Sequence, residues 1–270
     1  MPELPEVETI VRDLQKQLKR AEIRQVTVVR PDLISGSPAE FKKRIEGCTV
    51  GGVTRRAKNI VFDLGEDRLV INLGMTGRVT VLDRDAEDPP YLGVSFELTD
   101  HRRITYQDVR RFGHLEVLAR DDWNQRSEKM GVEPLSDGFT GDTVFRLSRK
   151  RRVAVKPWLM DQKHIVGVGN IYASEALFRA GISPLVAAGR LTKKRADALA
   201  TAVREVLREA IEFRGTTLLD YRDARGEKGE FSRRLRVYDR EGQPCVVCGT
   251  PIKRIVQSGR STFYCPHCQK

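Results

Sequence analysis

CVVCGTPIKRIVQSGRSTFYCPHC, residues 245–268, fixes more structure than any other stretch of its length in the chain. Cys245, Cys248, Cys265 and Cys268 are spaced C-x2-C, sixteen residues, C-x2-C, the zinc-ribbon pattern. Each pair directs two thiolates at one ion, and a hairpin between the pairs closes the tetrahedron. With all four positions supplied by protein, no site stays open for water, so a Zn2+ here is structural. Its binding supplies on the order of 10 kcal/mol of folding free energy, enough to hold a segment with little core of its own. The spacing leaves two disulfides or four buried thiols as alternatives. Within the ribbon, Lys253, Arg254 and Arg260 alternate with Ile252, Val256, Phe263 and Tyr264. A hairpin of this composition packs on one face and presents Arg260 at its tip, either to a DNA groove or to solvent as a plain charged hairpin. The fifth cysteine, Cys48, reads as a buried core thiol, and His267 as a bystander between two ligands.

Moving outward from the ribbon, charge is unevenly spread. Of the net +11, residues 1–130 contribute nothing, with 22 Lys+Arg against 22 Asp+Glu, and residues 131–270 carry 26 against 15. A solubility charge is the bland explanation. A surface facing a polyanion explains the asymmetry better, nucleic acid first and an acidic membrane second. No run of apolar residues is long enough to span a bilayer. The acidic N-terminus lacks the apolar stretch of a signal peptide, so the chain is expected in the cytoplasm.

At 270 residues the chain is long enough for two domains. Pro5 suits the first turn of a helix, and Val7, Ile10, Val11, Leu14 and Leu18 follow at helical spacing to an end near Lys19–Ala21. From there to about residue 120 the pattern changes to short alternating runs: QVTVV, GVTRR, NIVFDL, RLVIN, GRVTVL, GVSFEL, RRITY and HLEVL. Turn-forming SGSP, GEDR and AEDPP divide them. Such strands predict a β-sandwich or barrel. After residue 131 the signal is helical. KPWLMDQKHI predicts a helix, VGVGN a break, and IYASEALFRAG a second helix with Asn170 as N-cap and Gly181 at its end. Thr192 caps a long helix that Gly215 ends. Residues 222–234, RDARGEKGEFSRR, predict a mobile loop.

Three further features bear on chemistry. The glycines of VGVGN, directly before a helix, expose backbone N–H groups at its positive end, a weak phosphate-site signal on its own. Arg110, Arg111 and Phe112 in DVRRFGHLEV fit core packing best on the bare sequence. The other reading is a wedge, in which the aromatic enters a base stack. Finally, MPELPE places two prolines and two glutamates in six residues. Removal of Met1 before a small residue leaves Pro2 as a free secondary amine. An α-amine titrates near 8, about two units below lysine, so more of it is neutral near pH 7. Its attack on an aldehyde-level carbon gives an iminium, an electron sink for elimination, with Glu3 alongside as acid/base. Glu3, Glu6 and Glu8 also complement the helix dipole. That suffices for Glu8; for Glu6 a buried structural role near the terminus competes.

PELPEVETI, RRAKNIVF, NLGMTG, QDVRRFG, MGVEPL, DQKHIVGVGNIYASEALFRAGISP, GTTLLDY and GRSTFYCPHCQ, in this order from end to end, resemble the formamidopyrimidine-DNA glycosylase family. The resemblance implies an α+β multidomain protein. Residues 1–131 would be a catalytic β-sandwich with flanking helices, 132–221 a helix-two-turns-helix DNA-binding domain, and 222–270 a lesion-loop segment with the zinc ribbon. It implies a monomer that binds damaged double-stranded DNA and no membrane. The activity implied is excision of oxidised purines, chiefly 8-oxoguanine and formamidopyrimidines, followed by strand cleavage at the abasic site. By motif position Pro2 is the nucleophile, Glu3 the general acid/base and Glu6 a structural acid. Lys58, Asn170 and Arg260 would hold phosphates beside the everted nucleotide. Met75, Arg110 and Phe112 would fill the gap it leaves, and residues near 215–230 would close over the lesion. Asn72 stands where His is expected, and 222–234 is unusually charged. The sister family, endonuclease VIII, acts on oxidised pyrimidines; Leu4 and the MTG, RRFG and GTTLLDY segments favour the purine enzyme. Retention of Met1 would block the amine and leave a non-catalytic DNA-binding protein.

Overall fold

Apolar residues at every second position, as in Val94, Phe96 and Leu98, leave one face of each short run to be buried. A computed structural model describes residues 2–217 and 221–270. Its chain forms two compact units, Met1–Glu128 with Phe213–Glu230, and Lys129–Glu212 with Phe231–Lys270. Residues 213–230 pack with the first unit.

In the first unit α1 (Leu4–Gln17) precedes β1 (Ile23–Val28), α2 (Pro38–Lys43), β2 (Gly52–Arg56), β3 (Asn59–Leu64) and β4 (Asp67–Asn72). Then come β5 (Arg78–Asp83), β6 (Leu92–Leu98), β7 (Arg102–Gln107), β8 (His114–Ala119) and α3 (Arg120–Glu128). The strands pair antiparallel in two four-stranded sheets, ordered β1-β6-β7-β5 and β2-β3-β4-β8. Val26, Val79, Phe96 and Ile104 from one sheet share a buried cluster with Val53, Phe62, Ile71 and Leu115 from the other. The arrangement is a β-sandwich rather than a barrel. Helix α1 adds Val7, Ile10, Val11 and Leu14 to the same core.

The second unit holds α4 (Gly141–Ser148), α5 (Val155–Leu159), α6 (Asn170–Arg179), α7 (Lys193–Glu212) and the hairpin of β9 (Lys253–Gln257) and β10 (Arg260–Tyr264). Thr192 Oγ1 accepts from Arg195 N at 3.3 Å, so the threonine caps α7 as expected. Gly181, at φ 66°, closes α6. No helix among the described residues is long and apolar enough to cross a membrane.

Several local expectations differ from the structure. KPWLMDQKHI does not form one helix; α5 stops at Leu159. The Asp161 side chain accepts from Lys163 N at 3.0 Å and touches the His164 ring, a local turn that competes with helix propagation. Asn170 is the first helical residue and Gly169 the N-cap, because the Asn170 side chain is engaged elsewhere. Residues 222–234 are anchored. The Asp223 carboxylate is fully buried and accepts from Arg225 N and Glu227 N, each at 2.9 Å. Phe231 is also fully buried, 5.9 Å from the Tyr172 ring. Val256, expected on the packed face of the hairpin, is 67% exposed, whereas Ile252, Phe263 and Tyr264 are buried.

Candidate active site and zinc centre

The N-terminus is fastened by its own helix. Glu3, the N-cap of α1, accepts from Glu6 N, while Glu6 Oε2 accepts from Glu3 N at 2.8 Å, a reciprocal capping box. Glu6 is 2% exposed, and its second oxygen, Oε1, accepts from Thr216 N at 2.7 Å. Gly215 makes this approach possible. It lies at φ 83°, and a Cβ on it would sit 2.8 Å from Glu6 Oε1. Glu6 thus joins the first turn of α1 to a segment 210 positions away. Pro2 and Glu3 are both buried. Glu8 does more than face the helix dipole, since it pairs with Arg55 at 3.0 Å and Arg12 at 2.9 Å. The fate of Met1 lies outside the described residues, as do Leu218, Leu219 and Asp220 of the expected closing loop.

Lys58 occupies the turn between β2 and β3 and is half-buried. Beside that turn Asn59 and Asn72 are directly opposed. Asn72 donates to Asn59 Oδ1 at 2.9 Å and accepts from Gly74 N at 3.0 Å, so asparagine is well used where histidine was expected.

Met75, Arg110 and Phe112 come together on one platform. Its centre is Asp108, 2% exposed, which sequence inspection passed over. Its carboxylate accepts from Thr76 Oγ1 at 2.5 Å, Gly113 N at 2.7 Å, Arg110 N at 3.2 Å and Tyr106 Oη at 3.2 Å. Burial, with the carboxylate of Asp108, pushes the Tyr106 phenol well above its usual range. A Cβ on Gly74 would lie 2.4 Å from the Phe112 carbonyl carbon, so the two loops touch backbone to backbone. On this base Phe112 is 59% exposed and Met75 38%. The Arg110 guanidinium lies 4.7 Å from the Phe112 ring centroid. Core packing of Phe112 is therefore excluded.

In the second unit the centre is a buried lysine. Lys156, 1% exposed, donates to Asn170 Oδ1 at 2.5 Å, Thr262 Oγ1 at 2.8 Å and the Ser261 carbonyl at 3.1 Å. It ties α5, α6 and β10 together, and its three donors are matched by three acceptors. Asn170 Nδ2 also donates to Tyr238 Oη at 3.3 Å. Arg260 is exposed beside the hairpin turn, opposite Gln257. Ser258 and Gly259 make that turn at φ 48° and 72°, the mirror-image turn that matches strand twist. Glu175, fully buried in α6, accepts from the backbone N–H groups of Arg236, Val237 and Tyr238 at 2.9–3.1 Å. Burial pushes its carboxyl above the usual range against the pull of these donors. A lone charge in an apolar helix, as at Lys156 in VKPWL and Glu175 in IYASEALF, was the available signal for both.

The four ribbon sulfurs lie within 4.8 Å of one another. Cys245 and Cys268 are 3.9 Å apart and Cys248 and Cys265 3.5 Å, too far for disulfides. A tetrahedral zinc with Zn–S bonds of about 2.3 Å would set them about 3.8 Å apart. Backbone N–H groups of Val247 and Cys268 point at the sulfurs of Cys245 and Cys265. The cluster is built to hold one structural Zn2+. His267 is exposed, and Cys48 is half-buried with its thiol pushed up by burial and by Asp67.

A sandwich with a fastened Pro2–Glu3 pair, and a helical unit that carries a four-thiol ribbon, define the class as a DNA-processing enzyme. Three family profiles cover most of the chain: "Formamidopyrimidine-DNA glycosylase N-terminal domain" at residues 1–115, its H2TH domain at 130–221, and "Zinc finger found in FPG and IleRS" at 242–270. Formamidopyrimidine-DNA glycosylases of Marinobacter nauticus and Syntrophotalea carbinolica are 43% and 44% identical over the full length of both chains. Lactococcus lactis Fpg in complex with abasic-site DNA superposes with TM-score 0.93 at 32% identity, covering 99% of each chain. The same protein with Fapy-dG DNA gives 0.92 at 31%, covering 99% of this chain and all of that one. The chain belongs to the formamidopyrimidine-DNA glycosylase family. It is a bifunctional DNA glycosylase and AP lyase for oxidised purines.

Proposed function

We propose that Pro2, freed of Met1, is the nucleophile, and that Glu3 is its acid/base partner. The observation that carries this is the fastening of the Pro2–Glu3 pair by Glu6, which gives a chain terminus the fixed position that a nucleophile needs. The substrate is damaged double-stranded DNA, as in the Lactococcus lactis complexes with abasic-site and Fapy-dG DNA. Lys58, Asn170 and Arg260 hold phosphates, and Met75, Arg110 and Phe112 occupy the space of the flipped nucleotide. Arginine suits an orphan cytosine because it is donor-only and that pairing edge offers two acceptors. Glu6 is structural. In this reading residues 1–131 carry the chemistry, 132–221 hold the DNA backbone, and 222–270 add Arg260 and the zinc. The protein works as a cytoplasmic monomer on nucleoid DNA.

The steps follow from the groups present. The neutral amine of Pro2 bonds to C1′ as the glycosidic bond breaks, and the base leaves with its electron pair and takes up a proton. Glu3 protonates the ring oxygen as the sugar opens, which leaves a Pro2 iminium at C1′. Loss of a C2′ proton sends electrons toward that iminium and expels the 3′ phosphate. Loss of a second proton, from C4′, expels the 5′ phosphate. Water hydrolyses the imine and frees Pro2. Zinc takes no part.

Pro2→Gly tests the assignment. It replaces the secondary amine with a primary one and loosens the terminus. Excision of 8-oxoguanine from a duplex should slow by about a hundredfold or more, while duplex affinity stays within twofold of wild type. Wild-type excision by this variant would sink the nucleophile role.

A further inference from the structure

Arg214 sits just beyond α7 at φ 58°, a left-handed backbone conformation that a residue with a Cβ adopts at a cost. Two buried carboxylates surround its side chain. Its Nε donates to Asp223 at 2.7 Å, and its Nη2 donates to Asp13 at 2.5 Å and also to Asp223. Asp223 is fully buried and Asp13 2% exposed. The second oxygen of Asp13 faces Arg225 Nη2 at 3.5 Å. Burial works against the guanidinium charge, but the hydrogen bonds to both carboxylates outweigh it and raise the Arg214 pKa. The next two residues are Gly215, packed on Glu6, and Thr216, whose N–H reaches Glu6 Oε1. The far side of the segment is fixed as well: Thr216 bridges to Glu230, and Gly229 N donates to Thr217 Oγ1 at 2.9 Å.

A buried three-charge cluster is a weak source of net stability, since desolvation opposes its Coulomb attraction. It is a strong source of position, because each carboxylate accepts only where the guanidinium fork lies. Asp13 lies on α1, the helix that Pro2 and its N-cap Glu3 directly precede. The cluster therefore locks the 214–216 segment to the helix that carries the reacting terminus, and Glu6 completes the second attachment of the same segment. We infer that Arg214, clasped by Asp13 and Asp223, is a positioning residue that sets the Thr216 N–H on Glu6 and through it aims the Pro2–Glu3 pair. Arg214 does not touch substrate; it acts through Glu6. The inference rests on Pro2 being the nucleophile.

Arg214→Gly is the discriminating variant, because glycine accepts the left-handed backbone freely and removes only the clasp. Single-turnover formation of the borohydride-trapped adduct on a duplex bearing a preformed abasic site reads the nucleophile without base recognition. The expected result is a rate per folded molecule about tenfold to a hundredfold below wild type, with duplex Kd near that of wild type and a lowered thermal midpoint, since Asp13 and Asp223 lose their buried partner. Asp13→Asn combined with Arg214→Gly should add little to the single change. A wild-type trapping rate in Arg214→Gly overturns the inference, as does a loss matched by an equal loss of folded protein. If wild type itself traps no adduct at Pro2, the nucleophile assignment fails first, so the two failures are distinguishable.

Discussion

Lys156 shows how one buried side chain sets the geometry around Asn170 and the hairpin, to which phosphate contacts are proposed. Its ammonium has three acceptors, one on α6 and two on β10, and a lysine this deep is tolerated only when every donor is matched. Lys156→Met keeps most of the volume but strands Asn170 Oδ1, Thr262 Oγ1 and the Ser261 carbonyl. Stability should fall by about 3 kcal/mol, read from the urea midpoint, and DNA affinity should fall with it as Asn170 and the hairpin lose their common anchor. An unchanged midpoint would mean that the three acceptors find water. Neither this anchor nor the Glu6–Thr216 contact was legible in the sequence. Both join residues more than a hundred positions apart, and only the topology brings them together. The four cysteines were legible because each is defined by its immediate neighbours, and Pro2 and Glu3, to which the chemistry is assigned by proposal, stand out in the sequence for the same reason.

The sheet elements read well for a similar reason. Period-two alternation is local, and each predicted run became a strand. KPWLMDQKHI failed because one aspartate side chain outcompetes the helical pattern, a contest that periodicity does not weigh. Phe112 was misread on composition alone: large aromatics are usually buried, and nothing in RRFG shows that the loop is braced by Asp108 and aims the ring outward. That bracing separates two variants. Asp108→Ala leaves the Gly113 N–H and the Thr76 and Tyr106 hydroxyls without their acceptor, and should cost about 3 kcal/mol of stability by chemical denaturation. Phe112→Ala removes only an exposed ring and should leave the denaturation midpoint within about 0.5 kcal/mol of wild type, yet slow extrusion of the damaged base in stopped-flow fluorescence. Equal stability losses would show that Phe112 is part of the core after all.

Taken whole, the chain joins a neutral half to a basic half, and in the proposed function the first carries the reacting terminus and the second holds the polyanion. Affinity for duplex DNA should fall steeply with salt, and Arg260→Ala should reduce the slope of log K against log salt by about one. The zinc ribbon holds Arg260 in place without touching the chemistry. Cys248→Ser should release the metal, measured by atomic absorption, and weaken DNA binding at the same time; zinc loss with unchanged affinity would detach the ribbon from DNA binding. The central claim is that the fastened N-terminal proline becomes covalently joined to the sugar. Borohydride reduction of the reaction on a duplex with 8-oxoguanine opposite cytosine captures that bond as a stable amine. A covalent protein–DNA adduct whose peptide map places the sugar on Pro2 is the predicted result. An adduct on a lysine, or none from zinc-loaded protein shown by intact mass to lack Met1, would contradict it.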